Sequence, residues 1–323
     1  MPVELEPMLA VLAGRLPQPD NQFGFEFKWD GIRAIAFIEG SRIRLQTRNR
    51  KDVTARYPEL QALAAALDDR QAILDGEIVA LDERGRPSFE QLQRRMGLTA
   101  LSEIREQMRA VPVVYMIFDV VYLDGRLLVG EPYTTRRRKL RALRLKGPHW
   151  QTPPQQVGHG PSTMQASLEN GLEGVVAKRL DSRYEPGRRS GAWLKVKNRL
   201  RQELVIGGWV EGEGRRRGLP GAVLVGYYAG DRFVYAGKVG SGFTEAMLRR
   251  LGRMLEGLAR PDSPFDAGRP EAGTHFVEPR LVAEFEFAEW TRAGDLRAPS
   301  FKGLREDKDA RDVVREVPRE PGR

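Results

Sequence analysis

Residues Glu26-Phe27-Lys28-Trp29-Asp30-Gly31-Ile32-Arg33 place a lysine two positions ahead of an Asp-Gly pair, with a carboxylate just before it and an arginine just after. Side chains alternate along an extended segment, so Glu26, Lys28 and Asp30 share one face while Phe25, Phe27 and Trp29 share the other. One face suits a core, the other suits ions. A lysine amine attacks only when neutral, so a nucleophilic lysine needs burial or cationic neighbours. Taken alone, Lys28 also reads as a solvated lysine on an edge strand.

Working outward, FEFKW, AIAFI and RIRLQT read as three short strands between residues 25 and 47. Tyr57 to Leu67 has apolar residues at helical spacing behind Pro58 and reads as a helix. AILDGEIVAL reads as a strand, Phe89 to Met96 as a helix, and VPVVYMIFDVVYLDG as a strand buried on both faces. Thr134 to Leu145 reads as a helix with Leu140, Leu143 and Leu145 inward and its arginines on a solvated face. A loop with one short strand is expected from Gly147 to Pro161, then a helix near Ser162 to Asn170 and the strands GVVAKR and AWLKVK. Beyond Lys197, strands at short intervals with one helix from Thr244 to Leu258 fit a Greek-key barrel of the OB type. The expected boundary lies near residue 200, giving domains 1–200 and 201–323. The charged tail from Glu306 is expected to fray, and the basic loop Arg215-Arg216-Arg217 reads either as a DNA contact or as a solvated hairpin tip.

At 323 residues, 41% hydrophobic and 30% charged, the chain is long enough for two cores, and no apolar run approaches the ~20 residues a membrane helix needs. The start MPVELEPMLA lacks the pattern of a secretory signal, so an intracellular protein is expected. With no cysteine and three scattered histidines, a metal would have to be a hard ion held by carboxylates and phosphates. The net charge of +9 points to a polyanionic partner.

Five further segments follow Lys28-Trp29-Asp30-Gly31 in order: Thr47-Arg48-Asn49-Arg50, Leu74-Asp75-Gly76-Glu77, Phe118-Asp119, Glu173-Gly174-Val175-Val176 and Trp193-Leu194-Lys195-Val196-Lys197. A last one, Arg297 to Lys308, lies in the second domain. With this series the chain resembles the ATP-dependent DNA ligases, most closely the ligase domain of the bacterial non-homologous end-joining enzymes. The resemblance covers nearly the whole chain. It implies an α+β fold: a nucleotidyltransferase (ATP-grasp-like ligase) domain of antiparallel sheets with flanking helices, followed by an OB-fold β-barrel.

The resemblance also implies roles. Lys28 would attack the α-phosphate of ATP and carry AMP, with Lys195 and Lys197 touching that phosphate and disfavouring protonated Lys28. Glu26, Arg33, Arg48, Glu77, Phe118, Arg305 and Lys308 would contact the nucleotide. Phe118 would stack on adenine, although a phenylalanine in a buried strand is by itself ordinary core. Glu77 and Glu173 would hold Mg²⁺ or Mn²⁺. Arg33 and Arg48 would grip a DNA 5′-phosphate, or, read as residues alone, sit on a hairpin surface. Tyr184-Glu185-Pro186-Gly187-Arg188 reads as a turn, structural apart from Arg188. The C-terminal motif, with Arg305, Asp307 and Lys308, would swing over the ATP.

With Lys28 so near the start, a minimal ligase or an excised domain is expected, working as a monomer near the nucleoid on nicked or broken duplex DNA with a Ku-type end-binding protein. An RNA ligase or GTP-dependent capping-type enzyme is the second enzyme reading, and a nucleic-acid-binding scaffold the non-enzymatic one. NAD-dependent ligases share K-x-D-G but carry a four-cysteine zinc module, which a chain without cysteine lacks.

Overall fold

The structure, a computed structural model, describes residues 1–83 and 85–318; the Arg215 side chain and residues 319–323 of the expected loop and tail lie outside it. The chain forms two compact units, Met1–Asn198 joined by residues 317 and 318, and Arg199–Glu316. Among the described residues, no helix is long and apolar enough to cross a membrane.

The first unit holds strands β1 (Val11–Leu12), β2 (Phe23–Lys28), β3 (Ile32–Glu39), β4 (Arg42–Thr47), β5 (Ala72–Ala80), β6 (Val113–Leu123), β7 (Arg126–Leu127), β8 (Trp150–Gln151), β9 (Gln156–Val157), β10 (Gly174–Arg179) and β11 (Trp193–Lys197). Its helices are α1 (Ala62–Ala65), α2 (Phe89–Gln93), α3 (Leu101–Ala110), α4 (Tyr133–Ala142) and α5 (Gly160–Glu169). One sheet runs β1-β11-β10-β2-β9 and the other β4-β3-β5-β6-β7, with β8 on β6. Both are antiparallel except for the β1–β11 and β6–β8 pairs.

Three apolar layers fix these sheets. Phe25, Val175, Ala177, Leu194 and Val196 fill the outer face of the first sheet, with Met164 of α5 packed on them. Ala34, Ala36, Leu74 and Ile117 cover the outer face of the second, with Leu63, Leu92 and Leu140 from α1, α2 and α4. Between the sheets lie Ile35, Phe37, Ile73, Phe118, Tyr184 and Trp193. The inner faces, once past this apolar plug, are where the charged residues collect.

The segment read as one helix from Tyr57 is a 3-10 turn, Pro58–Gln61, leading into the single turn of α1. The expected loop after Gly147 carries two strand pieces, β8 and β9, rather than one. Helix α3 has no counterpart in the sequence reading; of its ten residues only Ile104 is buried.

A larger correction concerns α4. Its arginine run is only in part a solvated face: Arg138 and Arg141 are exposed, but Arg136 and Arg137 are buried. Arg136 forks onto Asp119 of β6 at 2.9 and 3.0 Å, a fit of guanidinium to carboxylate that lets both charges leave water.

The second unit contains β12 (Leu200–Glu211), β13 (Pro220–Ala229), β14 (Arg232–Val239), α6 (Glu245–Glu256), β15 (His275–Phe287), β16 (Glu289–Trp290), β17 (Leu296–Arg297) and β18 (Ser300–Leu304). Five of these strands form an antiparallel sheet in the order β14-β13-β12-β15-β18, bent by bulges. Leu251 and Leu255 of α6 pack into the same core as Ile206, Val225 and Phe285. The expected fraying from Glu306 is overturned up to Glu316. Val313 is buried against Val205, Tyr228, Phe233 and Val282, and its carbonyl accepts from Tyr228 N at 2.7 Å.

Candidate active site

Strand register places the candidate residues. β10 pairs Gly174 with Lys28, Val176 with Glu26 and Lys178 with Gly24 on one side. On its other side it pairs Gly174 with Lys197, Val176 with Lys195 and Lys178 with Trp193. Directly opposed residues share a face, so Glu26, Lys28, Lys178, Trp193, Lys195 and Lys197 all project from the inner face of one sheet.

Gly174 has a backbone φ of +150°, and a Cβ there would run into the Val196 carbonyl. The two lysines flanking it therefore have no side chain between them. Glu173 fills that place. It accepts a hydrogen bond from Lys28 Nζ on Oε2 and lies 3.1 Å from Lys197 Nζ through Oε1.

Burial alone would raise the Glu173 carboxyl, but Lys28, Lys197 and Lys195 outweigh it and hold it well below the usual carboxylate range. Burial likewise pulls the Lys28 ammonium down. Glu173 outweighs burial and the Lys197 charge together, so Lys28 titrates above an ordinary lysine. This corrects the expectation that the neighbouring lysines would lower it: they act in that direction, and one close carboxylate is stronger.

Facing this sheet, β3 and β5 pair Arg33 with Glu77 and Ile35 with Asp75, which puts all four on the inner face of the second sheet. Arg33 donates through Nε and Nη2 to the two oxygens of Asp75 at 2.6 and 2.7 Å. Tyr184 donates to the same carboxylate at 2.6 Å and accepts from Met8 N at 3.0 Å. The Nε–Nη2 fork of Arg33 is thus taken up by Asp75.

Phe118 is the unpaired residue of a bulge, for the β5–β6 register steps from Asp75↔Asp119 to Gly76↔Ile117. A bulge re-aims a side chain that alternation would place elsewhere. The ring carries the Arg33 guanidinium 4.5 Å and the Lys178 amine 4.3 Å from its centroid. Gly31 is needed where β3 begins, since a Cβ would collide with the Ile78 carbonyl.

A model of the ATP dependent DNA ligase domain matches residues 7–197, and one of the ATP dependent DNA ligase C terminal region matches residues 216–308. The chain belongs to the ATP-dependent DNA ligase family. It is 42% identical over 315 residues to the multifunctional non-homologous end joining DNA repair protein LigD of Mycobacterium tuberculosis, covering 97% of this chain and 40% of that protein. It is 40% identical over 331 residues to the LigD of Pseudomonas aeruginosa, covering 99% of this chain and 38% of that one. The chain therefore spans about two fifths of the length of these curated relatives. Among solved structures, a mycobacterial DNA ligase D complexed with ATP and MES matches with a TM-score of 0.68 at 42% identity, covering 97% of this chain and 98% of that one.

Arg48 follows β4 in a turn and is half-buried. In the second unit Arg305 forks onto Asp307 at 2.9 Å through both nitrogens, and Lys308 lies 3.1 Å from Glu203. Arg188 is exposed, whereas its neighbour Tyr184, read as part of a structural turn, is the one that reaches the site.

The sequence reading passed over four residues of these ion pairs and ring contacts. Asp75 and Trp193 stood inside quoted motifs without a role. Lys178 was readable as the one charge at an inner-face position of the apolar strand GVVAKR. Arg137 was hidden in the α4 charge run; it lies 3.7 Å from Glu26.

Proposed function

We propose that this chain joins DNA ends through a lysyl-adenylate. The Lys28 amine attacks the α-phosphorus of ATP, forming a P–N bond as the bond to pyrophosphate breaks. The 5′-phosphate of a nick then takes the AMP, and the 3′-hydroxyl attacks that activated phosphate and expels AMP. The observation that carries this reading is the Lys28–Glu173–Lys197 cluster: a lysine at the end of β2, beside one buried carboxylate and two further ammoniums.

Glu173 keeps Lys28 protonated in the free protein. Once Glu173 turns to another partner, burial and Lys197 both act to release that proton. The residues present suit a hard ion such as Mg²⁺ or Mn²⁺, because Glu173 and Glu77 offer oxygen and the chain holds no sulfur ligand from cysteine. Glu173 and Glu77 would hold the ion. Bound there, it would draw charge from the phosphates.

Lys195 and Lys197 would steady the α-phosphate, and Arg48 and Arg33 the 5′-phosphate. Glu26, Arg33, Arg48 and Glu77, with Arg305 and Lys308 of the second unit, would contact the nucleotide. Phe118 is only 8% exposed, so an adenine stacking on it needs one of its present cationic neighbours to move aside. Residues 1–200 act as the adenylyltransferase domain and 201–323 as the OB-fold domain. The names of the relatives support broken duplex DNA as substrate and repair by end joining as the setting. A Ku-type partner, a monomeric state and a place in the cytoplasm at the nucleoid complete the reading.

Incubating the protein with labelled ATP or GTP and a divalent metal tests it. Label from ATP should become covalent, and both Lys28→Ala and Lys28→Arg should erase it, since a guanidinium is not a nucleophile at working pH. A GTP adduct would move the chain to the capping-type enzymes, and no adduct at all would leave only a binder.

A further inference from the structure

Lys178 lies on the same inner sheet face as Lys28 and Glu26, with a side chain only 2% exposed. Its amine is 2.7 Å from Glu26 Oε2 and sits 4.3 Å from the Phe118 ring centroid, 4.2 Å from that of Trp193 and 5.2 Å from that of Tyr133. Glu26 Oε1 accepts from the Tyr133 hydroxyl, with Arg137 Nη1 farther off at 3.7 Å. A lysine is rarely buried unless its charge is answered, and here one carboxylate and a cage of rings answer it.

We propose that Lys178 is a positioning residue which fixes the Glu26 carboxylate for purine selection at the nucleotide pocket, a role that rests on the ligase reading above. An ionised carboxylate accepts hydrogen bonds and donates none, so it favours a purine edge bearing an amino group over one bearing a carbonyl. Which way its free lone pairs point depends on what holds the rest. Lys178 on Oε2 and Tyr133 on Oε1 set that direction. Without the lysine, Arg137 is the nearest remaining cation and would draw the carboxylate toward α4.

A packing role and a positioning role predict different variants. Lys178→Met keeps the volume in the cage and removes the charge; Lys178→Arg keeps the charge. Adenylylation of Lys28 in the full chain is measured with labelled ATP and with ITP, whose 6-position is a carbonyl. Lys178→Met should raise KM for ATP about 10-fold with kcat lowered less than about threefold, and should cut the preference for ATP over ITP about 10-fold. Lys178→Arg should recover most of that preference. Should Lys178→Met fail to fold, Glu26→Gln/Lys178→Met removes both charges together and should show the same lost preference.

The inference is overturned if Lys178→Met, or the double variant in its place, selects ATP as the wild type does. It is also overturned if kcat alone falls, or if Lys178→Arg is no better than Lys178→Met. A wild type that takes no label overturns the ligase reading along with it.

Discussion

Two lysine–glutamate pairs stand along β2 and β10, one of them through Glu173 just ahead of β10, and they differ in what surrounds them. At one end Lys28 meets Glu173 with its side chain 22% exposed and with Lys195 and Lys197 alongside. At the other end Lys178 meets Glu26 within a cage of Phe118, Trp193 and Tyr133. The first pair has water at its edge and more cations than it needs. The second is walled by those rings, with the Arg136–Asp119 fork behind it. Like chemistry in unlike surroundings gives an exchangeable pair that can react and a fixed pair that can only orient.

The reactive end should respond most strongly to loss of its carboxylate. Glu173→Gln should lower adenylylation of Lys28 on the order of 1,000-fold, the scale of removing one preorganised electrostatic group from a reacting centre. The same change should make Lys28 more reactive toward a simple amine reagent at pH 8, because what holds its proton has gone. Adenylylation at the wild-type rate would remove the distinction between the two ends.

The closed end should answer in stability instead. Asp119→Ala strands a fully buried guanidinium and should destabilise the first unit by about 3 kcal/mol or more in urea unfolding. Asp181→Ala, which breaks the exposed pair with Arg179, should cost less than about 1 kcal/mol. Equal losses from the two would mean that burial does not separate these ion pairs.

Much of this was legible from sequence because alternation is a strict period. The same rule that set Glu26 and Lys28 on one face also set Lys195 and Lys197 on one face, and short β-rich segments such as RIRLQT and GVVAKR left little room for another reading. What alternation does not contain is partnership across the fold. That Glu173 reaches Lys28 depends on a register between strands 145 residues apart in the chain. That Asp75 takes up Arg33, and that Phe118 sits in a bulge, depend on contacts no local pattern records. The α4 arginines were misread for the same reason: a charge run looks solvated until carboxylates from β2 and β6 are brought beneath it.

A milder probe of the closed end is Tyr133→Phe. It removes the hydroxyl that donates to Glu26 and leaves the ring in place, so the carboxylate keeps Lys178 and loses one donor. A hydrogen bond to a charged group is worth about 1.5 kcal/mol, and the unfolding free energy should fall by that amount. No change would mean that Lys178 alone satisfies Glu26.

The finest test uses the two lysines against each other at alkaline pH. Glu173 raises Lys28 above the ordinary lysine value of 10.5, whereas burial leaves Lys178 below it despite Glu26 and Asp119. Stability rises with pH wherever the unfolded chain binds more protons than the folded one. For Lys178 that holds between its lowered folded value and 10.5, so this residue contributes a gain in stability as pH climbs toward 10.5. For Lys28 the folded state holds the proton longer, so its contribution is complete below 10.5 and is lost as pH rises through its higher folded value. Urea unfolding of the wild type, Lys28→Met and Lys178→Met from about pH 9 to 11 should therefore show differences of opposite slope, each within about 1 kcal/mol. Slopes of the same sign would show that one sheet face holds a single kind of lysine, and that the exchangeable and fixed ends are not distinct.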